Sequence, residues 1–166
     1  MPALQVRLTR RADGGAVLHC DRADGTCTWQ RHEGRSAAYF PFHDLTHLAV
    51  ESVLGFRSGF FGLVAAGWDI ADTAGKGARG PLPDEARLVE HLAGLLDRER
   101  MGGAAPLTAA ELRAQLQEHA ATGPVPAITD VQLDAVRTRA SGLHGAWAAL
   151  PPGETLEVRF EPRGPA

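Results

Sequence analysis

Apolar residues alternate with polar residues near both ends of the chain and recur with helical spacing between those ends. The alternating positions are Leu4, Val6 and Leu8 in the first segment, and Leu156, Val158 and Phe160 in the last. Alternation with a period of two predicts half-buried strands. We therefore expect mainly strands over residues 1–41, mainly helices over residues 42–150, and a final strand at residues 154–161 that returns to the N-terminal sheet.

A tight hairpin is predicted at Asp24-Gly25, after a strand at residues 16–21. The Asp-Gly dipeptide is typical of two-residue turns between antiparallel strands. Such a turn would place Cys20 opposite Trp29. The two cysteines would then share one face of the sheet with Trp29, and His19 would project from the other face.

A further turn at Glu33-Gly34 predicts a fourth strand over residues 36–40, which Pro41 interrupts. Together with the helical spacing that follows, these elements predict an α+β fold. It consists of an antiparallel meander of about four strands plus the C-terminal strand, covered by about five helices. The length of 166 residues is that of one domain, which we expect to span residues 1–166.

The starts of several helices can be predicted from capping residues. Thr108 with Glu111 and Thr129 with Gln132 have the spacing of capping boxes, which satisfy the free amides of a first helical turn. The amphipathic pattern over residues 84–100 predicts a further helix. These three helices therefore follow the more apolar ones in the first half of the chain.

Composition restricts the classes of partner. The formal net charge is −3, with 22% charged and 44% hydrophobic residues, so neither a nucleic acid nor an anionic membrane is indicated. No segment reaches the ~18 consecutive apolar residues of a membrane span. The N-terminus lacks the apolar core of a signal peptide. We therefore expect a cytoplasmic protein with reduced cysteines, and its richness in arginine, alanine and glycine is typical of a GC-rich bacterial genome.

The segment with the clearest chemical signal carries two imidazoles and a carboxylate at intervals of four residues. His43, His47 and Glu51 share one face of a predicted helix, because residues four apart differ in direction by only about 40°. The other positions of this helix are mostly apolar, which is typical of a helix inside a protein. Burying the polar groups there is unfavourable unless they are paired. A divalent metal is the simplest partner, so we predict a metal site at these three residues.

One straight helix cannot easily bring all three side chains to one ion, since its axis rises about 12 Å between residues 43 and 51. In one arrangement His43 and His47 bind the metal, and Glu51 accepts a hydrogen bond from the far nitrogen of His47. In the other arrangement His47 and Glu51 bind it. Both need a third ligand from another segment. The candidates are His144, His119, Asp69 and Asp72.

His43-Asp44-Leu45-Thr46-His47 resembles the HExxH motif of zincin metalloproteases over five residues. The resemblance implies two zinc-binding histidines, with Asp44 in the place of the glutamate general base and shorter by one methylene. The same residues resemble the His-Asp-x-x-His zinc motif of a ubiquinone-biosynthesis family of helical proteins. In that family the resemblance implies a further glutamate about twelve residues on, where this chain has Gly59. We assign the chain to neither family.

Two functions fit these observations. The first is a small metal-dependent hydrolase in which the ion polarises a carbonyl or phosphoryl oxygen or activates water, with Asp44 as a candidate for proton transfer. Imidazole and carboxylate suit zinc, iron, nickel or manganese, and zinc is our first choice. The alternative is a non-catalytic domain that binds an unidentified small molecule or forms a homodimer through Phe56, Phe60 and Phe61. In that case His43, His47 and Glu51 form a buried polar network and do not bind a metal.

Gly75-Lys76-Gly77-Ala78-Arg79-Gly80 matches the G-x-G-x-x-G pattern of dinucleotide-binding loops. That pattern binds a nucleotide when a strand precedes it and a helix begins at it. Here no strand is predicted before it, and Pro81 follows. We interpret it as part of a flexible loop over residues 69–83, whose Lys76 and Arg79 could meet an anionic substrate.

Overall fold

The computed structural model describes residues 3–119 and 123–161, so both ends of the predicted 1–166 domain fall outside the described residues. The elements in chain order are β1 (Leu4–Arg10), β2 (Ala16–Arg22), β3 (Cys27–His32), α1 (Arg35–Leu54), α2 (Phe60–Ala65), a 3-10 helix (Ile70–Ala74), α3 (Asp84–Arg100), α4 (Ala109–Glu118), α5 (Asp130–Ala149) and β4 (Thr155–Phe160). This is an α+β fold with an antiparallel sheet and helices, which confirms the predicted fold class.

The four strands form one antiparallel sheet in the order β3-β2-β1-β4. In β1 and β2 every second side chain is buried, as the alternating pattern predicts. The C-terminal strand β4 pairs with β1, with Val158 opposite Val6. The predicted return of the chain to the N-terminal sheet is therefore confirmed.

The hairpin between β2 and β3 differs by one residue from the predicted register. Cys20 lies opposite Thr28 and not opposite Trp29. The turn contains three residues instead of two, and the last of them, Gly25, adopts a left-handed φ of 86°. Because a one-residue shift moves each side chain to the other face of the sheet, Cys20 is buried and Cys27 is exposed. The prediction that the two cysteines share a face was therefore wrong.

The predicted fourth strand over residues 36–40 was also wrong, because this segment forms the first turns of α1. No β-branched residue lies between Arg35 and Phe40, so the segment is compatible with a helix. Tyr39 stacks on His43 one turn later, with ring centroids 5.4 Å apart. Pro41 lies inside the helix and is buried; its missing N–H removes one backbone hydrogen bond but does not end the helix.

Helix α1 lies at the centre of the helical part of the molecule. It contacts α2, α3 and α5 as well as β2 and β3. Every side chain from His43 to Glu51 is consequently buried, whether polar or apolar. The sequence expectation of a helix inside the protein is therefore confirmed, and its polar residues must find partners among the neighbouring elements.

The predicted helix starts in the second half of the chain agree with the structure. Helix α3 covers Asp84–Arg100, and complete capping boxes precede α4 and α5 at Thr108 and Thr129. Residues 69–83, predicted as loop, contain the short 3-10 helix. Within residues 3–119 and 123–161, none of the helices is both long enough and apolar enough to cross a membrane.

Candidate metal centre

His43 and His47 on α1 face Glu90 on α3. Nε2 of His43 lies 3.3 Å from Oε1 of Glu90, and Nε2 of His47 lies 3.0 Å from Oε2. One ligand atom from each of the three side chains lies within 4.8 Å of the others. Both histidines are buried, whereas the Glu90 side chain is 64% exposed. The three residues form a group that could hold a metal ion, closed on the α1 side and accessible beside Glu90.

The distances within this group are compatible with zinc. Zinc bonds to imidazole nitrogen and carboxylate oxygen are about 2.0–2.2 Å long, so neighbouring ligand atoms in a tetrahedron lie about 3.3 Å apart. The two nitrogen–oxygen distances of 3.3 and 3.0 Å are close to this value. Each histidine nitrogen thus lies at a suitable distance from one oxygen of Glu90.

Each histidine has a second carboxylate at its other ring nitrogen. Nδ1 of His43 lies 2.6 Å from Oδ2 of Asp97, and Nδ1 of His47 lies 3.3 Å from Oε1 of Glu51. Asp97 is 1% exposed and Glu51 is 0% exposed. Carboxylates that accept the outer N–H of a metal-binding imidazole fix its tautomer and orientation. Both rings are thus held with Nε2 directed towards Glu90.

Glu51 is itself fixed by the start of α2. Its two carboxylate oxygens accept hydrogen bonds from the backbone amides of Phe61 and Gly62, at 3.2 and 2.9 Å. Gly59 makes this approach feasible, because a Cβ at that position would lie 2.5 Å from Cδ of Glu51. The short second helix therefore supplies the partners that a fully buried carboxylate requires.

Asp97 is fixed in a similar way from α1. The hydroxyl of Thr46 donates to Oδ1 of Asp97 at 2.9 Å, and the hydroxyl of Tyr39 donates to Oδ2 at 3.2 Å. Burial opposes ionisation of Asp97, but the hydrogen bonds from His43 and Thr46 outweigh it and lower the pKa of this carboxyl. Asp97 is therefore ionised at neutral pH and accepts a hydrogen bond from Nδ1 of His43.

The carboxylates of the group favour positive charge on or beside the two imidazoles. A neutral imidazole has one N–H and can donate to only one of its two flanking carboxylates. Burial opposes charge on His47, but hydrogen bonds with Glu51 and Glu90 raise its pKa from 6.5 to about 10. The pKa of His43 is raised in the same sense, against the effect of its burial. Without metal, protons satisfy the carboxylates; a divalent ion at the two Nε2 atoms can replace them.

The group opens into a cavity of about 460 Å³. The residues that line the cavity are Trp29, Gln30, His32, Phe40, His43, Asp44, His47, Phe60, Ile70, Ala71, Thr73, Ala74 and Glu90. Within its wall, Nε2 of the buried His32 lies 2.9 Å from Oδ2 of Asp44, and His32 stacks on Phe40 with ring centroids 5.3 Å apart. A second histidine–carboxylate pair thus lines the same cavity as the candidate metal centre.

The structure places the four predicted site residues in different positions relative to this centre. His43 and His47 belong to the group with Glu90. Glu51 lies on the far side of His47, as in the first of the two arrangements considered above. Asp44 is turned towards β3, where it bonds to His32.

The third member of the group is Glu90, which was not among the candidates for a third ligand. His144 bonds to the carbonyl of Phe42 and to Thr46, and the ring of His119 lies against that of His91 at a tilt of 40°. The two aspartates lie near arginines, Asp69 beside Arg22 and Asp72 beside Arg79. Phe56 and Phe61 of the proposed dimer surface are buried within this chain.

The sequence pattern did not single out Glu90 and Asp97, because α3 has the pattern of an ordinary amphipathic helix. The signal for them is their separation of seven residues, which places both on one stripe of the helix, two turns apart. His43, the earlier residue on α1, contacts Asp97, the later one on α3. The two helices therefore run in opposite directions past the site. This spacing indicates that the two acids share one stripe of α3, but it does not identify α1 as the helix that they contact.

A second group of metal-binding residue types lies on the outer face of the sheet. His19 and Asp21 on β2 and Cys27 on β3 also have ligand atoms within 4.8 Å of one another. Arg7 on β1 donates to Asp21 at 2.7 Å and to Nδ1 of His19 at 3.0 Å. The guanidinium already supplies a positive charge at this position, so the carboxylate is neutralised without a metal.

Comparison with protein-family models, with curated proteins and with solved structures finds no match for this chain. Its function therefore has to be inferred from the chemistry of its own side chains. That chemistry is concentrated at the His43, His47 and Glu90 group, which combines possible metal ligands, buried orienting carboxylates and a cavity.

Proposed function

We propose that this chain is a metal-dependent hydrolase that binds one zinc ion through His43, His47 and Glu90. The observation that supports this most strongly is the pair of carboxylates on each imidazole, one at Nε2 and one at Nδ1. Two histidines and one glutamate are a ligand set of catalytic zinc sites, which leave a fourth position for water or substrate. The cavity beside Glu90 provides room for that fourth ligand.

An ion held by His43, His47 and Glu90 would supply positive charge to polarise the bond to be cleaved and to lower the pKa of a water molecule. Asp97 and Glu51 keep the imidazoles in the tautomer that presents Nε2. Hydrolysis adds a hydroxyl to the electrophilic carbon while the bond to the leaving group breaks and the leaving atom takes a proton. We assign that proton transfer to His32, and the role of Asp44 is to orient His32.

Metal content and hydrolysis, measured on the same preparations, test this proposal. Glu90→Gln is the decisive variant, because the side chain is 64% exposed and the replacement keeps its shape while removing its charge. We expect wild type to retain about one zinc per chain and the variant to lose zinc affinity by more than the 10–100-fold of an outer-partner change. The rate of hydrolysis by the variant should fall in parallel with its zinc content. Glu157→Gln, an exposed change on β4, serves as the matched control.

A metal-free polar network is the second candidate function of these residues. It is favoured by one specific observation, that Glu90 bridges both imidazoles and so completes the network with protons alone. In that case wild type would bind zinc no better than Glu90→Gln, and Glu90→Gln would only lower the stability of the fold. A shared, weak affinity for zinc in the two proteins would therefore refute the proposed hydrolase.

A further inference from the structure

The cavity beside the candidate metal centre has apolar side chains on its rim that the fold does not bury. Among the described residues, the exposed large hydrophobic side chains are Trp29, Phe40, Met101 and Val131. Trp29, which is 60% exposed, and Phe40, which is 40% exposed, both line this cavity. Two of the four exposed side chains thus lie at one opening, where an apolar ligand would cover them.

The wall of the cavity contains no lysine or arginine among the residues that the structure describes. The same is true of an adjoining cavity of about 140 Å³, which shares His47, Phe60 and Glu90 with it. The basic loop does not line either cavity: Arg79 donates to the carbonyl of Gly67 and lies over the ring of Trp68. The sequence expectation of a basic loop facing an anionic substrate therefore has no support at this site.

Negative charge predominates around the group even with a divalent ion in place. Four carboxylates lie around it, from Asp44, Glu51, Glu90 and Asp97, and the guanidinium of Arg100 lies 3.5 Å from Asp97. An ion and Arg100 would together contribute three positive charges, so a net negative charge would remain and disfavour a phosphate or sulfate. Sites for phosphate esters usually provide arginine or lysine side chains or several free backbone amides.

We propose that this cavity binds an uncharged ligand with an aromatic or bulky apolar group, and that the substrate class is a neutral carboxylic ester or amide. The proposal rests on the hydrolase function and narrows its substrate. The apolar group would lie against Trp29, Phe40 and Phe60, with the carbonyl directed towards His43 and His47. Water oxygen bonds to the carbonyl carbon, the bond from that carbon to oxygen or nitrogen breaks, and the alcohol or amine takes the proton. The volume of about 460 Å³ suits a small molecule.

The test compares hydroxamates, which bind zinc and carry the substituent of interest. Zinc per chain is measured first, and calorimetry of the zinc-loaded protein then uses acetohydroxamate, benzohydroxamate and 4-carboxybenzohydroxamate. We expect benzohydroxamate to bind at least about tenfold more tightly than acetohydroxamate, because the ring buries apolar surface. The 4-carboxylate should bind at least about tenfold more weakly than benzohydroxamate, because of its repulsion by the surrounding carboxylates.

Variants on the cavity rim identify the residues responsible. Trp29→Ala should weaken benzohydroxamate by about threefold to tenfold, the usual range for loss of an aromatic pair, and should leave acetohydroxamate unchanged. Val131→Ala, which truncates an exposed side chain on α5, is the matched control. Ala74→Lys adds a cation at an exposed position of the cavity wall. It should restore binding of the 4-carboxylate.

The outcomes separate the two proposals. If zinc does not bind, the hydrolase proposal fails and the ester or amide assignment fails with it. If zinc binds but the three hydroxamates have equal affinities, or the 4-carboxylate binds best, only the substrate assignment is overturned. Preference for benzohydroxamate that depends on Trp29 supports the assignment.

Discussion

Two regions of this protein contain residue types that bind metals, and they differ in what surrounds those residues. On the outer face of the sheet, His19, Asp21 and Cys27 lie beside the guanidinium of Arg7. Between α1 and α3, the histidines of the candidate metal centre have carboxylates at both ring nitrogens. Both regions thus bring three potential ligand atoms within 4.8 Å of one another. A guanidinium bonds to the carboxylate of the sheet group, whereas carboxylates bond to the histidines of the other group.

We infer from this difference that the residues in contact with the potential ligands influence whether a group is suited to a cation. In the buried centre, Asp97 and Glu51 fix the rings and add negative charge. On the sheet, Arg7 performs the neutralising role that a metal would have. Paired variants, one in each region, therefore test whether this difference in charge affects stability and metal binding.

The largest expected effect is on folding. Asp97→Ala removes a 1% exposed carboxylate that accepts from His43, Thr46 and Tyr39. Breaking a buried ion pair on one side costs about 3–5 kcal/mol in the free energy of unfolding. Asp21→Ala, in a half-exposed ion pair with Arg7, should cost at most about 1 kcal/mol. Urea denaturation of the metal-free proteins measures both, and equal losses would contradict the contrast between the regions.

The second effect is a dependence of stability on pH that belongs to the buried centre. The pKa of His47 is raised from 6.5 to about 10, because hydrogen bonds with Glu51 and Glu90 outweigh the penalty of its burial. A raised pKa in the folded state stabilises the metal-free protein fully below about pH 6.5, and this contribution is lost as the pH rises towards 10. The denaturation midpoint of the metal-free protein, measured at intervals of pH, should therefore fall as the pH is raised from 6 to 10.

Zinc provides the control for this pH dependence. An ion at Nε2 replaces the proton there, and its affinity increases as competing protons are removed. The zinc-loaded protein should therefore keep its stability over the range in which the metal-free protein loses it. His19→Ala, in the sheet region, should leave the slope of the metal-free protein unchanged. A flat profile without zinc would show that His47 is not paired as described.

A smaller effect is expected from the glycine behind Glu51. Gly59→Ala would place a Cβ 2.5 Å from Cδ of Glu51, so the carboxylate must shift from the position in which it bonds to His47 and α2. Loss of an orienting partner typically lowers metal affinity by about 10–100-fold. Gly94→Ala on α3 adds a Cβ with nothing within 4 Å, and it should leave zinc affinity unchanged. Competition with a chelator of known affinity measures the zinc affinity of both variants. Equal affinities would show that Glu51 does not orient His47 for zinc binding.

The smallest effect tests the outer sheet. Arg7→Met removes the guanidinium that donates to Asp21 and His19. We expect a weak zinc affinity to appear at His19, Asp21 and Cys27, detectable as a second binding event in calorimetry and abolished by Cys27→Ser. If the wild-type protein already binds zinc at these three residues, Arg7 does not take the place of a metal at this site.

The fold could be predicted largely from local patterns. Alternation in β1 and β4 and the capping boxes at Thr108 and Thr129 each depend on neighbouring residues in the chain. The errors arose where two weak local signals competed. A three-residue turn ending in Gly25 replaced the expected two-residue turn. Pro41 suggested a break, but the surrounding residues and tertiary burial kept α1 continuous.

The candidate site could be predicted only in part, because its parts come from separate elements. The spacing of His43 and His47 on one helix indicated a shared face for their side chains. Glu90 and Asp97 reach them only through the packing of α3 on α1, and His32 reaches Asp44 only through the position of β3. Long-range packing of this kind leaves no local pattern that assigns one helix to another.

The position of a bound zinc ion is the most decisive measurement for the proposed site at His43, His47 and Glu90. Crystals of the protein grown with zinc, measured on both sides of the zinc absorption edge, would locate the ion by its anomalous scattering. We predict one strong peak about 2.0–2.2 Å from Nε2 of His43, Nε2 of His47 and a carboxylate oxygen of Glu90. Full zinc occupancy at His19, Asp21 and Cys27 with no peak between α1 and α3 would contradict the account.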